Sequence, residues 1–427
     1  MLDINLIRTN PEKIIKALAK KEYDVNFNEL LSMDKQYREL NKINDDLRAR
    51  RNKVSESIPL LKKSGQNVQS IYDEMKVIGQ QISDNDIKLK EFNDKIQSFL
   101  NYLPNTPDED LLAGGKENNV VIKEFGTKPN FDFTIKNHTE LCELNGIIDY
   151  KRGSKLAGSG YWIYCDVGAR LEWAILNYFI SEHLKDNYKF MLVPHMLSYN
   201  CGYGAGQFPK FSDEVYWIND DEGESQKFML PTAETALVNL HSGEILSENE
   251  LPKKYFSYTP CYRKEAGSYR TEERGMIRGH QFNKVEMVQY TTPENSMKAF
   301  EELVGKAESL VKKLGLHFRT SKLAAGDCSA SMARTYDIEV WIPSMNIYKE
   351  VSSVSNANDY QARRTNTKYR NFVTGKTEFV HTLNGSGLAT SRIIPAIVEQ
   401  YQQKDGSIIV PEVLVPFFGE KVINPIK

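Results

Sequence analysis

Within residues 28–61, five apolar side chains recur one heptad apart: Met33, Leu40, Leu47, Val54 and Leu61. After a break at Lys62-Lys63-Ser64-Gly65-Gln66-Asn67, a second run steps by four and three through Ile71, Met75, Ile78, Ile82, Asn85, Leu89, Phe92, Ile96 and Phe99. That alternation keeps one stripe of a helix against one partner, as in the seam of a coiled coil. So short a break turns the second helix back on the first. The spacing therefore predicts an antiparallel helical hairpin, roughly 50 Å long for arms of about 33 residues. Its basic residues gather towards the tip: Arg48, Arg50, Arg51, Lys53, Lys62 and Lys63, against Glu56 as the one acid between Arg48 and Lys63. A dimerisation coil or spacer is the plainer reading of the heptads alone. The basic distal half instead suits a phosphate backbone.

Pro104, Pro107, Gly114 and Gly115 end the helical pattern. The expected division is an all-α arm at 1–103, a linker at 104–118 and a mixed catalytic domain at 119–427. Beyond the linker, VVIKEF, YWIYCDV, KFMLV, KFML, YFSYTPCYR, FNKVEMVQY, YDIEVWIP, YKEVSSVS and KTEFVHTLN read as strands. Residues 171–183, 295–314 and 392–403 read as helices. Hairpin-rich strands with helices between them predict an α+β fold with an antiparallel sheet. Neither a Walker A loop nor a GxGxxG after a strand is present, so neither common nucleotide fold is signalled.

The formal net charge of −2 announces no nucleic-acid partner, so such a role must come from a local patch. No apolar run approaches bilayer-spanning length, and the start, MLDINLIRTNPEKI, has no signal-peptide core. The five cysteines are dispersed, with no CxxC pair. A reducing cytoplasm is the expected location, and neither disulfides nor zinc are expected.

Chemistry concentrates in residues 259–287, TPCYRKEAGSYRTEERGMIRGHQFNKVEM. Arg263, Arg270, Arg274 and Arg278, with Lys264 and Lys284, lie in and around a polar loop between two strand-like runs. So dense a loop cannot be core; it suits a polyanion. Three further segments are too polar for the strands they sit on: Pro231-Thr232-Ala233-Glu234, Glu350-Val351-Ser352-Ser353, and residues 382–392. Singly, each has a structural explanation, such as a satisfied buried Glu or a core Phe282. Together they would leave many polar groups unpaired in one sheet, which is costly.

These segments, in order, resemble the seryl-tRNA synthetases, of the class II aminoacyl-tRNA synthetases. The resemblance runs from residue 1 to about 419. It is carried by MLDINLIR (1–8), GQFPKF (206–211), PTAE (231–234), RKEAGS (263–268), RGMIRGHQFNKVE (274–286), TYDIEVWIP (335–343), KEVSSVSNANDYQARR (349–364) and TLNGSGLATSR (382–392). The resemblance implies an antiparallel sheet flanked by helices and preceded by the coiled-coil arm. It also implies a homodimer formed through a helix and a strand ending in proline, about residues 171–194. The implied reaction is ATP-dependent formation of seryl-adenylate, then transfer to the 3′ end of serine tRNA, with selenocysteine tRNA as a further acceptor.

By the same resemblance, Thr232, Glu234, Arg263, Glu286 and Ser386 contact serine. Arg263, Glu265, Arg278, Phe282, Glu350, Ser353 and Arg392 contact ATP, with Arg263 and Arg392 catalytic and Glu350 and Ser353 holding Mg²⁺. The arm cations Arg48, Arg50, Arg51, Lys53, Lys62 and Lys63 bind the tRNA. Whether Glu286 takes the serine ammonium or its hydroxyl is left open. The chain departs from the family's commoner pattern at Thr390-Ser391, at Val351 and Val354, and in the loop AGSYRTEERGM. A divergent paralogue that loads a small amino acid onto a different acceptor is the alternative.

Overall fold

The computed structural model describes residues 1–65, 67–218, 226–265 and 275–426. The chain divides into two compact units. One comprises residues 2–16 and 24–103, and the other comprises Met1, residues 17–23 and residues 104–427.

The smaller unit holds helices α1 (Ile4–Thr9), α3 (Asn28–Lys63) and α4 (Gln69–Tyr102), with part of α2 (Pro11–Ala19). Helices α3 and α4 pack along their length as the predicted hairpin. The heptad residues Met33, Leu40, Leu47, Val54 and Leu61 are half-buried, whereas Ile78, Ile82, Leu89 and Ile96 on α4 are buried. A second heptad series completes the α3 seam: Leu30, Tyr37, Asn44, Arg51 and Ile58, all buried or half-buried. Its mixed polarity hid it from an apolar count. Asn44 donates to Asp86 at 2.7 Å and accepts from Asn85 at 3.4 Å, so the one polar member of the α4 stripe has its partner across the hairpin. A polar pair inside a seam disfavours slipped registers, because a slip leaves both groups unsatisfied. Arg48 adds an ion pair to Asp86 at 2.7 Å, and Arg50 pairs with Glu74. At the base, Arg8 on α1 grips buried Asp34 through two bonds of 2.7 and 2.8 Å.

The larger unit is built on an eight-stranded sheet. Its strands in chain order are β1 (Val120–Phe125), β2 (Lys189–Phe190), β3 (Lys253–Tyr262), β4 (Gln281–Thr291), β5 (Phe318–Lys322), β6 (Arg334–Ile342), β7 (Ile347–Asn356) and β8 (His381–Ala389). They lie in the order β1-β5-β6-β7-β8-β4-β3-β2. All neighbours are antiparallel except β2 with β3, which run parallel. Three expected strands are shorter than their sequence runs. YWIYCDV forms strand only at Ile163–Tyr164, because the next helix starts at Asp166. KFMLV forms strand only at Lys189–Phe190. KTEFVHTLN breaks at Val380 into Thr377–Phe379 and β8.

Helices α5 (Asp166–Lys185), α7 (Ser296–Lys313) and α8 (Thr390–Gln400) supply the main core over one face of the sheet, while the short α6 (Glu234–Leu237) belongs to a second apolar cluster. Leu171, Ile175, Phe300, Leu303, Ile393 and Ile397 meet Val285, Met287, Ile338 and Val354 there. Alternation along β4 then sends Phe282, Lys284 and Glu286 to the opposite face.

A β-bulge in β7 overrides this alternation. Its pairing with β6 shifts register between Ile338↔Ser352 and Glu339↔Glu350, leaving Val351 as the extra residue. Val351 and Val354, three apart, are therefore both buried in the helix-side core. Glu350 and Ser353, also three apart, both face the opposite cavity. Without the bulge one of them would point into the helices.

Buried Glu172 on α5 ties three elements together. Its Oε1 accepts from Asn283 on β4 at 2.7 Å and from Thr390 at the start of α8 at 2.6 Å. Thr390 is one of the departures noted above, and its hydroxyl has this structural use. Oε2 of Glu172 has no hydrogen-bond partner, and burial pushes the carboxyl up to about 7. A carboxyl raised from its unfolded value of 4.5 adds stability below that pH and loses it as pH rises through about 7. Glu172→Gln is therefore expected to gain on the parent by about 3 kcal/mol between pH 4.5 and pH 8. Denaturant unfolding of both proteins across that range checks this. A pH-independent gap would mean that Glu172 stays ionised when buried.

Candidate active site

On the sheet face away from the helices lies a cavity of about 420 Å³. It is lined by Thr232, Glu234, Arg263, Glu286 and Ser386, the residues expected at serine, together with Glu350 and Ser353. A smaller recess of about 90 Å³ shares Arg263, Glu265, Lys284, Glu350 and Ser386 with it, and adds Arg278, Phe282 and Arg392. All the residues expected at serine and ATP thus converge on one continuous hollow. Positions 266–274, which hold Arg270 and Arg274, lie outside the described residues. The six arm cations all sit on α3. Arg48 and Arg50 are engaged with acids of α4, and Lys62 lies 5.4 Å from the Tyr72 ring centre.

The deep end of the cavity is a closed polar network. Lys284 donates to the Thr232 hydroxyl at 2.8 Å and pairs with Glu286, two positions along the same face of β4. Asn384 on β8 bridges the two carboxylates, donating to Glu234 at 3.1 Å and to Glu286 at 3.2 Å. Ser386, two residues on, reaches Glu286 at 3.4 Å. Gln361 donates to the other oxygen of Glu234 at 2.9 Å. Burial pushes Glu234 up to about 7, the neighbouring Glu286 adds to the rise, and Lys284 and Arg263 oppose it. The Oδ1 of Asn384 is buried without a partner, and that side chain borders the cavity. An orphaned acceptor at a cavity wall is ready for a donor on a ligand.

The shallow end is cationic and flatter. Nε of Arg263 donates to the Pro231 carbonyl at 3.1 Å, and its guanidinium lies 5.3 Å from the Phe282 ring centre. Arg392 donates to the Glu350 carbonyl at 2.7 Å and to the Ile277 carbonyl at 3.3 Å, with the Glu350 carboxylate at 3.4 Å. Arg278 pairs with Glu265 at 3.1 Å. Two guanidiniums anchored through backbone carbonyls keep their planes fixed, which suits them to phosphate oxygens. Among the described residues no group of three or more His, Cys, Asp or Glu could hold a metal ion. Glu350 and Ser353 nevertheless offer hard oxygens at the cavity wall, with Arg392 at 3.4 Å from the Glu350 carboxylate, a donor set of the kind that fits Mg²⁺.

Sequence reading missed Lys284, Asn384 and Gln361. Lys284 had a signal, since it alternates with Phe282 and Glu286. Asn384 lies in the polar 382–392 segment and Gln361 in the 349–364 block, but neither stood out individually, because they meet Glu234 only through the fold.

A polar hollow with fixed arginines, on a largely antiparallel sheet backed by helices, is the arrangement of a class II aminoacyl-tRNA synthetase core. Residues 216–401 match the family model of the tRNA synthetase class II core domain (G, H, P, S and T), and residues 1–107 match that of the seryl-tRNA synthetase N-terminal domain. The serine–tRNA ligase 2 of Clostridium acetobutylicum is 60% identical over 422 residues, 98% of this chain and 99% of that one. The serine–tRNA ligase of Thermodesulfovibrio yellowstonii is 46% identical over 428 residues, 99% and 100% of the two chains. The crystal structure of seryl-tRNA synthetase from Pyrococcus horikoshii complexed with ATP matches with a TM-score of 0.91 at 31% identity, covering 100% of both chains. The chain belongs to the seryl-tRNA synthetase family.

Proposed function

We propose that the protein activates L-serine with ATP and transfers the seryl group to the 3′ end of serine tRNA. The observation that carries this reading is the two-ended hollow: a small polar pocket with one buried carboxylate, Glu286, and one half-buried, Glu234, opening onto fixed arginines. In the first step a serine carboxylate oxygen attacks the α-phosphorus, and the bond from that phosphorus to the pyrophosphate oxygen breaks. No general base is needed, because the carboxylate is already a nucleophile. Arg263 holds the α-phosphate beside the serine carboxylate and stabilises the charge that builds in line. Phe282 and Arg392 hold the two faces of adenine, Glu265 accepts from its amino group, and Arg278 and Arg392 reach towards the β- and γ-phosphates. Glu350 and Ser353 would hold Mg²⁺, which neutralises phosphate charge when bound. In the second step the terminal ribose hydroxyl attacks the seryl carbonyl and AMP leaves.

Thr232, Glu234, Glu286 and Ser386 contact serine. A buried network of this kind rejects an analogue lacking a hydroxyl, because its own groups would then go unpaired. In this reading residues 1–103 form the tRNA-binding arm, 104–118 the linker and 119–427 the catalytic part. Homodimerisation is supported by exposed apolar side chains on and after α5: Trp173, Leu184 and Leu192 are 51%, 53% and 78% exposed. Cytoplasmic location is supported by five free cysteines. No described helix is long and apolar enough to cross a membrane.

The test is transfer of labelled serine to total tRNA with ATP and Mg²⁺. Serine-specific charging is expected, and fractionating the charged pool shows whether selenocysteine tRNA is a second acceptor. Serine-dependent pyrophosphate exchange without charging would instead establish the competing reading, a paralogue that serves a different acceptor.

A further inference from the structure

The pocket floor holds an ion pair that the proposed reaction has not yet used. Lys284 and Glu286 are 6% and 1% exposed and pair with each other, and Lys284 also donates to the Thr232 hydroxyl. Burying both charges costs several kcal/mol in desolvation before their attraction offsets it. An apolar residue at position 284 would fill the same space without that cost. The expense is understandable if the cation sets what the pocket accepts.

Serine brings one cation, its ammonium, and one neutral donor, its hydroxyl. The floor offers two carboxylates, and only Glu286 has a buried ammonium at contact. Glu234 is held by the neutral amides of Gln361 and Asn384. We infer that Lys284 is a specificity-determining residue: by neutralising Glu286 it makes that carboxylate an acceptor for a neutral hydroxyl, and leaves Glu234 as the counter-ion of the substrate ammonium. This rests on the cavity being the serine site, and it resolves the choice that sequence left open for Glu286. It also predicts what the pocket excludes. A side-chain ammonium in place of the hydroxyl would bring a second cation to the carboxylate that Lys284 already pairs, and like charges in a desolvated site repel strongly.

The test compares L-serine with L-2,3-diaminopropionate, its isostere carrying an amine in place of the hydroxyl, in ATP–pyrophosphate exchange. Lys284→Met keeps the side chain's length and removes its charge. Serine kcat/KM is expected to fall by about 100-fold, mostly through KM, while the serine-to-diaminopropionate ratio falls at least 10-fold because the substrate's own amine can now pair with Glu286. Lys284→Arg is expected to restore the preference for serine.

A second readout is the pH profile. Glu234 is faced by Glu286, Lys284, Arg263, Asn384 and Gln361. Its ionisation, near pH 7, sets where serine activation rises with pH, and loss of the Lys284 charge is expected to move that rise to higher pH. An unchanged ratio, or equal losses on both amino acids, would overturn the assignment and leave Lys284 a structural residue. Should Lys284→Met not fold, Lys284→Gln removes the charge, keeps a donor for Thr232 and is read by the same ratio. Absence of serine-dependent exchange in the unaltered protein would instead overturn the reading of the site itself.

Discussion

Arg263→Ala and Arg392→Ala are each expected to reduce serine-dependent pyrophosphate exchange by about 10³-fold or more, the upper range for loss of one fixed charge-stabilising donor. The two should fail differently. Arg263 sits where the recess and the larger cavity meet, and it lines both. Its loss should raise KM for serine as well as lower kcat. Arg392 lines only the recess and is anchored to the Glu350 and Ile277 carbonyls. Its loss should lower kcat and weaken ATP while leaving KM for serine near its parent value. Both variants should still bind tRNA, measured by filter retention, within about two-fold, since the arm is untouched. Retained exchange in both would sink the assignment of these arginines to the phosphates. Equal changes in serine KM would sink the division of labour between them. Folding is a fair control here, because the sequence spends these two residues on carbonyl contacts at a cavity wall, not in the helix-side core.

The same two arginines show what a sequence can disclose. Each lies in a segment whose polarity is out of place on a strand, so it stood out before any geometry was known. The heptads of α3 and α4 were legible because period is a one-dimensional property. The polar half of the α3 seam was not, because Asn44 and Arg51 look like solvent residues until Asn85 and Asp86 are seen opposite Asn44. The pairing of Glu350 with Ser353 shows the limit most clearly. Strict alternation puts residues three apart on opposite faces, and only the bulge at Val351 brings both to the cavity. The three-residue spacing of Val351 and Val354 carries the matching hint, since two valines that far apart share a core only across such a bulge. Lys284, Asn384 and Gln361 belong to a network closed by pairing β4 with β8 and by packing onto Glu234, and no local pattern encodes those contacts.

Replacing residues 28–100 by a short Gly/Ser joint should separate the two halves of the reaction. The hairpin leaves and returns at neighbouring points, since the Phe27 and Phe99 rings at its base are 6.4 Å apart. A short joint can therefore span the gap without pulling on the rest of the chain. Serine-dependent pyrophosphate exchange should stay within about two-fold of the parent. Charging of serine tRNA should fall by at least about 10³-fold, because the cations proposed to displace counterions from the tRNA backbone are gone. A finer version keeps the hairpin. Arg48 and Arg50 hold its register through Asp86 and Glu74, so changing them confounds folding with binding. Lys53→Glu, Lys62→Glu and Lys63→Glu, all at exposed positions, together leave those ion pairs and the seam in place. That triple variant should lose about 100-fold in charging at physiological salt, with a shallower dependence on salt than the parent. Normal charging by either protein would mean that the arm is a spacer and that the acceptor is recognised on the larger unit alone. Loss of exchange as well as charging would mean that the hairpin supports the active site. The parent's salt dependence distinguishes recognition of a backbone from recognition of bases, because contacts to base edges do not release condensed ions.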